Sequence, residues 1–417
     1  MPQPHAVGMT TIIRAEAAHD FLAIVPALTG YTPTRSLVCV AFRGTRSLGV
    51  LRYDLPRRAR DRDAVASAAV GTVCRMAGVD AIVPIVYTEA TFARRGAMPE
   101  RALLELVVAR AEEAGFLVRD ALCVATDGWG SALDPETPAQ GHPLDLIASS
   151  HAASDPGCPV PDPAGAAGLA TLPQPDPDLA ARVAHLLDVC DADDRIDAFG
   201  GRRRSRELER LLEALGAVVD PVELVEALLG AEPGTSDADA MAWLVHLAGQ
   251  PAFRDAMMLQ FAFGRAIGEL ALDDAVDTNV RAAENGERVS ELVAREHSER
   301  GPETVGSLLA RLLLGQSTSR PAPERVERAI AVLRHALAHA PEHRRPGPLC
   351  MAGWLAWTLG RGSAAGALVD RALEIDPSHT MAGLLAAYLG TGAIPEWAFA
   401  DGARAGDAAP TEEVSDP

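Results

Sequence analysis

At 417 residues, with 48% apolar and 23% charged side chains, the chain is too long for one ordinary core and too apolar to be disordered, so two or three globular domains are expected. Its net charge of −19 opposes a phosphate backbone, and the absence of any lysine excludes a P-loop lysine, a Schiff-base lysine for pyridoxal phosphate and a lysine nucleophile. No uncharged apolar run is long enough to span a bilayer, the first residues lack a basic-then-apolar leader, and the six cysteines are scattered with no C-x-x-C, so a cytoplasmic protein without a structural zinc site or disulfide framework is expected.

In chain order, Glu16 to Thr29 places Phe21, Leu22, Val25 and Leu28 at helical spacing, and Gly30 and Pro33 stop the helix. Ser36 to Phe42 and Leu48 to Leu55 read as two strands joined by the turn Arg43-Gly44-Thr45-Arg46, a hairpin signal. Asp63 to Gly78 is helical. Ala81 to Tyr87 is a continuous apolar strand in which Pro84 argues for an edge position or a bulge. A helix over Glu100 to Gly115 and a strand over Phe116 to Ala125 complete the first part. Strands alternating with helices give an α/β domain over 10–150, and the hairpin makes its sheet mixed.

From 151 to 177 the composition shifts to Pro, Gly, Ala and Asp, and the prolines between Pro156 and Pro177 exclude a helix or central strand. This reads as a linker. Beyond it the periodicity is helical: Leu179–Val189, Glu207–Leu215, Val222–Leu229, Ala238–Ala248, Phe253–Leu272, Arg288–Glu299 and Val305–Leu314 fill a helical region, 178–320. Ser236-x-x-Asp239 reads as a capping box. Residues 398–417 read as a disordered acidic tail. Charge is uneven along the chain. Residues 1–126 carry 15 Arg against 12 Asp plus Glu, and the remainder carries 23 against 45.

The sharpest internal pattern lies in 321–397. Ala329, Ala336, Leu337 and Pro341 recur 36 residues later as Ala365, Ala372, Leu373 and Pro377. Small residues that let two helices approach, with a proline ending the second, fit degenerate TPR-like helical hairpins capped by Met381 to Leu389. A plain helical bundle is the alternative. Either way the array is expected to pack on the helices before it, because fewer than three repeats rarely stand alone.

The run Gly30-Tyr31-Thr32-Pro33-Thr34-Arg35-Ser36-Leu37-Val38 resembles the G-F-x-P-x-x-S-L-V signature of an uncharacterised actinobacterial family called domain of unknown function 4192, with Gly30, Pro33 and Ser36 at the motif positions. Arg52-x-Asp54-Leu55-Pro56, Tyr87-Thr88, Trp129-x-Ser131 and the helical C-terminal part are similar too. The resemblance implies a shape and lends no activity. Relatives carry cysteines between the tryptophan motif and the stretch matching Pro138-x-x-Gly141-x-Pro143; Ala132 to Thr137 holds none here, so no thiol or metal role carries over to that loop.

Two strands end in polar residues, and α/β sheets bind ligands beyond their strand ends. Arg52, Asp54, Thr88, Glu89, Asp127, Trp129 and Ser131 therefore form the candidate ligand cleft, although polar strand ends that merely meet solvent are the commoner case. Ser131, His142 and Asp145 lack the surrounding motif of a nucleophile elbow, and Gly128-x-Gly130 is too short for a dinucleotide fingerprint. His335, His339 and His343 are spaced like metal ligands, but Pro341 interrupts them and a solvated face is the expected reading. Arg202, Arg203, Arg204 and Arg206 follow the acidic run Asp191 to Asp197 and are expected to pair with it or stay solvated. No catalytic residue, metal site or cofactor is assigned. The favoured expectation is a non-enzymatic interaction or scaffold protein that contacts a protein partner, or itself, through its helical half, without nucleic acid or membrane. The alternative is a small-molecule sensor or hydrolase-type enzyme with a cleft at the strand ends.

Overall fold

A computed structural model of the chain describes residues 17–154, 165–198, 205–232, 234–300 and 304–399. The first part forms one mixed sheet of six strands: β1 (Ser36–Arg43), β2 (Arg46–Asp54), β3 (Ala81–Tyr87), β4 (Leu117–Val118), β5 (Leu122–Val124) and β6 (Trp129–Ser131). Their order is β2-β1-β3-β5-β6, with β4 also on β3. β1 runs antiparallel to β2 and β3, β3 runs parallel to β4 and β5, and β6 returns antiparallel to β5. Val38, Val50, Val83 and Val124 thus lie in one sheet. Five helices accompany it: α1 (Ala18–Thr29), α2 (Arg62–Cys74), α3 (Phe92–Arg95), α4 (Arg101–Glu113) and α5 (Asp145–Ala148).

Period-two alternation sorts the strand residues between two apolar layers. Leu37, Cys39, Ile82 and Val86 pack with Val70 and Val73 of α2 and Leu103, Leu104 and Val107 of α4. Val38, Val40, Val83 and Ile85 pack with Leu22 and Val25 of α1, and Ile147 of α5 lies against the same layer. Gly30 ends α1 at φ +83°, a left-handed value cheap only for glycine.

Pro84 corrects an expectation. β3 is central and buried throughout, not an edge. Asp80 and Ile82 accept N–H groups from Leu117 and Arg119, and Thr88 donates to Val124, so the even-numbered residues of β3 face β4 and β5. The missing N–H of Pro84 therefore points at residues 119–121, where the parallel partner is interrupted between β4 and β5. No ladder bond is lost there. The same interruption splits the expected strand Phe116–Ala125 in two.

Among the described residues everything after β6 is helical or irregular. The helices are α6 (Pro177–Ala198), α7 (Arg206–Leu215), α8 (Pro221–Gly230), α9 (Ala238–Ala248), α10 (Pro251–Phe263), α11 (Arg265–Asn285), α12 (Val289–Arg300), α13 (Val305–Leu313), α14 (Pro323–His339), α15 (Pro346–Thr358), α16 (Gly362–Ile375) and α17 (Thr380–Gly390). The expected single helix Phe253–Leu272 is broken at Gly264, whose φ of +95° no helix tolerates. The cap before α9 is Asp237, not Ser236: its carboxylate accepts the Ala240 N–H at 2.8 Å.

One apolar cluster runs through this helical body from Val183 to Trp397, so the C-terminal hairpins pack on the helices before them. Its centre is α15, every residue of which is buried. Small residues permit that position. A side-chain carbon on Gly353 would lie 3.1 Å from Val369, and one on Gly347 would lie 2.4 Å from the Ala248 carbonyl oxygen.

The histidine row departs from the expected solvated face. His339 is buried; its Nδ1 lies 2.9 Å from the His335 carbonyl, and its Nε2 accepts the Asp176 N–H at 3.1 Å, just ahead of α6. His335 is half-buried against the His339 ring, and His343 lies past Pro341 in a short 3₁₀ turn. Cys39, Cys123, Cys190 and Cys350 are buried, and burial pushes the Cys39, Cys123 and Cys350 thiols up to about 12. Cys158, Arg202 to Arg204 and residues 400–417 lie outside the described residues, and Asp191 pairs with Arg344.

Candidate functional site

The sheet register brings most of the strand-end residues to one edge. Ser36 opposes both Asp54 and Tyr87, and Tyr87 opposes Val124, so Arg52, Asp54, Thr88, Glu89, Asp127 and Trp129 cluster around the same end. Each has separate partners. Arg52 donates to Ser36 Oγ at 2.7 Å and pairs with Asp54 at 2.6 Å. Glu89 is exposed and stands 3.5 Å from exposed Arg35. The Thr88 hydroxyl accepts the Ala90 N–H at 3.2 Å.

Asp127 accepts the Phe92 and Ala93 N–H groups at 2.8 and 3.0 Å, where α3 begins. The Ala93 N–H is the main cause holding its carboxyl below the usual range, with the Phe92 N–H adding to it. Trp129 donates through Nε1 to the Pro143 carbonyl at 3.1 Å, and its ring lies 4.6 Å from that of His142.

Ser131 sits deeper, opposite Leu122, and is buried. Its hydroxyl donates to Asp120 at 2.5 Å and accepts the Leu133 and Asp134 N–H groups at 3.1 Å each. It is thus engaged in closing its own loop, while His142 engages Trp129. The nearby glycines have a packing role: a side-chain carbon on Gly130 would meet Thr137 at 2.5 Å, and one on Gly128 the Gln140 carbonyl at 3.0 Å. The motif residues around β1 are structural in the same sense. Gly30 ends α1, Ser36 ties Arg52 to the Thr34 carbonyl, and Tyr31 reaches across to Ser363 of α16 at 2.9 Å.

That last contact is one place where sheet domain and helical body meet, and a second, which no sequence motif announces, lies beside α2. A cleft of about 480 Å³ lies there between α2 with Tyr53 on one side and residues 314–316 and 388–396 on the other. The volume suits a small ligand. Tyr53 donates to Thr72 Oγ1 at 2.7 Å, and Tyr388 to the Leu314 carbonyl. Burial is the main cause that raises both phenols, so they stay protonated near neutral pH. Arg75 extends along this wall with its guanidinium 4.2 Å above the ring of Phe399. Hydroxyls, one guanidinium, the amide of Gln316 and the carboxylate of Glu396 make a polar lining without an activated nucleophile. Residues 53–75 and 314–396 build it together, which is why no local pattern announced it.

Among the described residues no three His, Cys, Asp or Glu side chains stand together in a way that could hold a metal ion, and no helix is long and apolar enough to cross a membrane. The sequence model of one protein family, described as domain of unknown function (DUF4192), matches residues 19–272 and 276–396. No curated protein and no solved structure matches the chain significantly.

Proposed function

We propose that this chain, which belongs to the DUF4192 family, is a non-enzymatic interaction protein that docks a protein partner or a second copy of itself through its helical body. The observation that carries this reading is two exposed valine pairs, one on each helix of the α11–α12 hairpin. Val276 and Val280 stand one turn apart on α11 at 49% and 50% exposure, and Val289 and Val293 repeat the spacing on α12 at 39% and 52%. Ion pairs of Arg281 with Glu296 and Arg295 with Glu287 link the two helices of the hairpin and its turn. Scattered exposed valines need no explanation, but valines spaced one turn apart on both helices of one hairpin fit a docking face.

A TPR-like reading of α14 to α17 points the same way. Equivalent helices α14 and α16 bury Ala329, Ala336, Ala365 and Ala372, the small positions of the 36-residue repeat. In this reading the protein acts in the cytoplasm. The strand-end reading of a hydrolase draws less support, because Arg52, Asp127 and Ser131 are each satisfied by neighbouring protein groups.

The test compares the wild-type chain with Val280→Glu and Val293→Glu variants. Light scattering gives the mass of the purified protein, and crosslinking in its native cells gives the attached proteins. A charge in place of either valine is expected to lower the mass or remove a crosslinked partner while leaving the melting temperature within a few degrees. Identical mass and identical crosslinks in all three proteins would remove the basis of the reading.

A further inference from the structure

We propose that the cleft between sheet domain and helical body binds a small hydroxylated oxyanion, of the sugar-phosphate or hydroxy-carboxylate class. Three observations carry it, all independent of the exposed valines.

The cleft's volume of about 480 Å³ is that of a small-molecule pocket rather than of a packing defect. Arg75 reaches it with its guanidinium over Phe399, an interaction that uses none of its N–H donors, and among the described residues no carboxylate pairs with it. A guanidinium with free donors at the wall of a hydroxyl-lined cleft is suited to a carboxylate or phosphate. The rest of the lining selects against a bare anion. Glu396 can only accept hydrogen bonds when ionised, so it requires donors on the ligand; Thr72 and Tyr53, whose protons go to Ala68 and Thr72, can likewise accept from ligand hydroxyls, and the Gln316 amide can donate or accept. A skeleton bearing both hydroxyls and one oxyanion satisfies both ends.

The lining comes from both halves of the molecule, with Arg75 and Tyr53 from the sheet domain and Gln316, Tyr388 and Glu396 from the body. A ligand seated there bridges the two, so substitutions on either side must weaken it.

Isothermal titration of the full chain with ribose 5-phosphate, and separately with citrate, tests the proposal. One-to-one saturable binding of at least one probe is expected, and which of them binds assigns the oxyanion as phosphate or carboxylate. Arg75→Gln should weaken that binding about tenfold or more, the loss of one charge-assisted hydrogen bond. Gln316→Ala, on the opposite wall, should weaken it severalfold, whereas Arg46→Gln, an exposed arginine outside the cleft, should leave it unchanged. Circular dichroism checks that each variant is folded. If neither probe saturates, or if Arg75→Gln binds as tightly as wild type, the proposal is wrong.

Discussion

A side-chain carbon on Gly315 would sit 2.6 Å from Cη2 of Trp357, and Gly315 itself adopts φ +66°. The glycine is wedged where the end of α13 meets the C-terminal segment: its carbonyl accepts the Glu396 N–H at 2.7 Å, and Trp357 donates to the Ala393 carbonyl at 2.8 Å. Gly315→Ala must pay for both the left-handed backbone and the displaced indole. A loss of roughly 2–4 kcal/mol is expected, read as a fall in the urea midpoint of the helical body.

Tyr87 carries a buried hydroxyl with no hydrogen-bond partner in the protein, at the end of β3. Removing an unsatisfied buried polar group recovers its desolvation cost. Tyr87→Phe is therefore expected to raise stability by about 1 kcal/mol, an unusual direction for a core substitution. Equal or lower urea midpoints for the variant would show that the hydroxyl has a partner after all.

Burial lowers the His335 pKa, with the neighbouring His339 adding to the shift, and burial lowers that of His379, with Arg254 adding to it. A depressed histidine favours folding fully above the unfolded value of about 6.5, and that contribution is lost as pH falls toward the folded value. Urea midpoints should fall between pH 7.5 and pH 5. His335→Gln should flatten that slope. A variant with the wild-type slope would assign the pH dependence elsewhere.

Asp127 titrates in a lower window. Its folded carboxyl is held low by the Ala93 and Phe92 N–H groups, so its contribution is complete above the unfolded value of about 3.9 and disappears as pH drops through the folded one. Asp127→Asn keeps one acceptor oxygen but not the charge. Its thermal midpoint should lie below wild type at pH 6, and the gap should narrow as pH falls below the unfolded value of about 3.9.

Much of the architecture was legible because it depends on local signals. Gly30 and Gly115 mark helix ends through a backbone conformation that glycine adopts cheaply, and Ala81 to Tyr87 is a strand residue for residue. Features decided by distant neighbours were not legible. Pro84 is central only because its partner strand happens to break opposite it. Gly264 breaks a periodic apolar pattern, since periodicity reports which face is apolar and is blind to a single dihedral. Ser236 and Asp237 are both good caps, and the choice depended on where the chain turns into α9. His339 looked like surface because the Asp176 backbone that covers it lies 163 residues upstream. The strand-end residues could be placed at one edge from sequence, but not the junction cleft, whose walls meet only after sheet domain and body dock.

The burial of all of α15 has a consequence for how the chain is made. Residues 177–313 leave the ribosome first, yet the helix around which they condense comes from 346–358. Until it emerges, the parts of α9 and α10 that pack on α15 lack that cover, although α6, α8 and α11 are already in place against their other sides. Slow synthesis between α13 and α15 is therefore expected to lengthen the exposure of this apolar surface to aggregation.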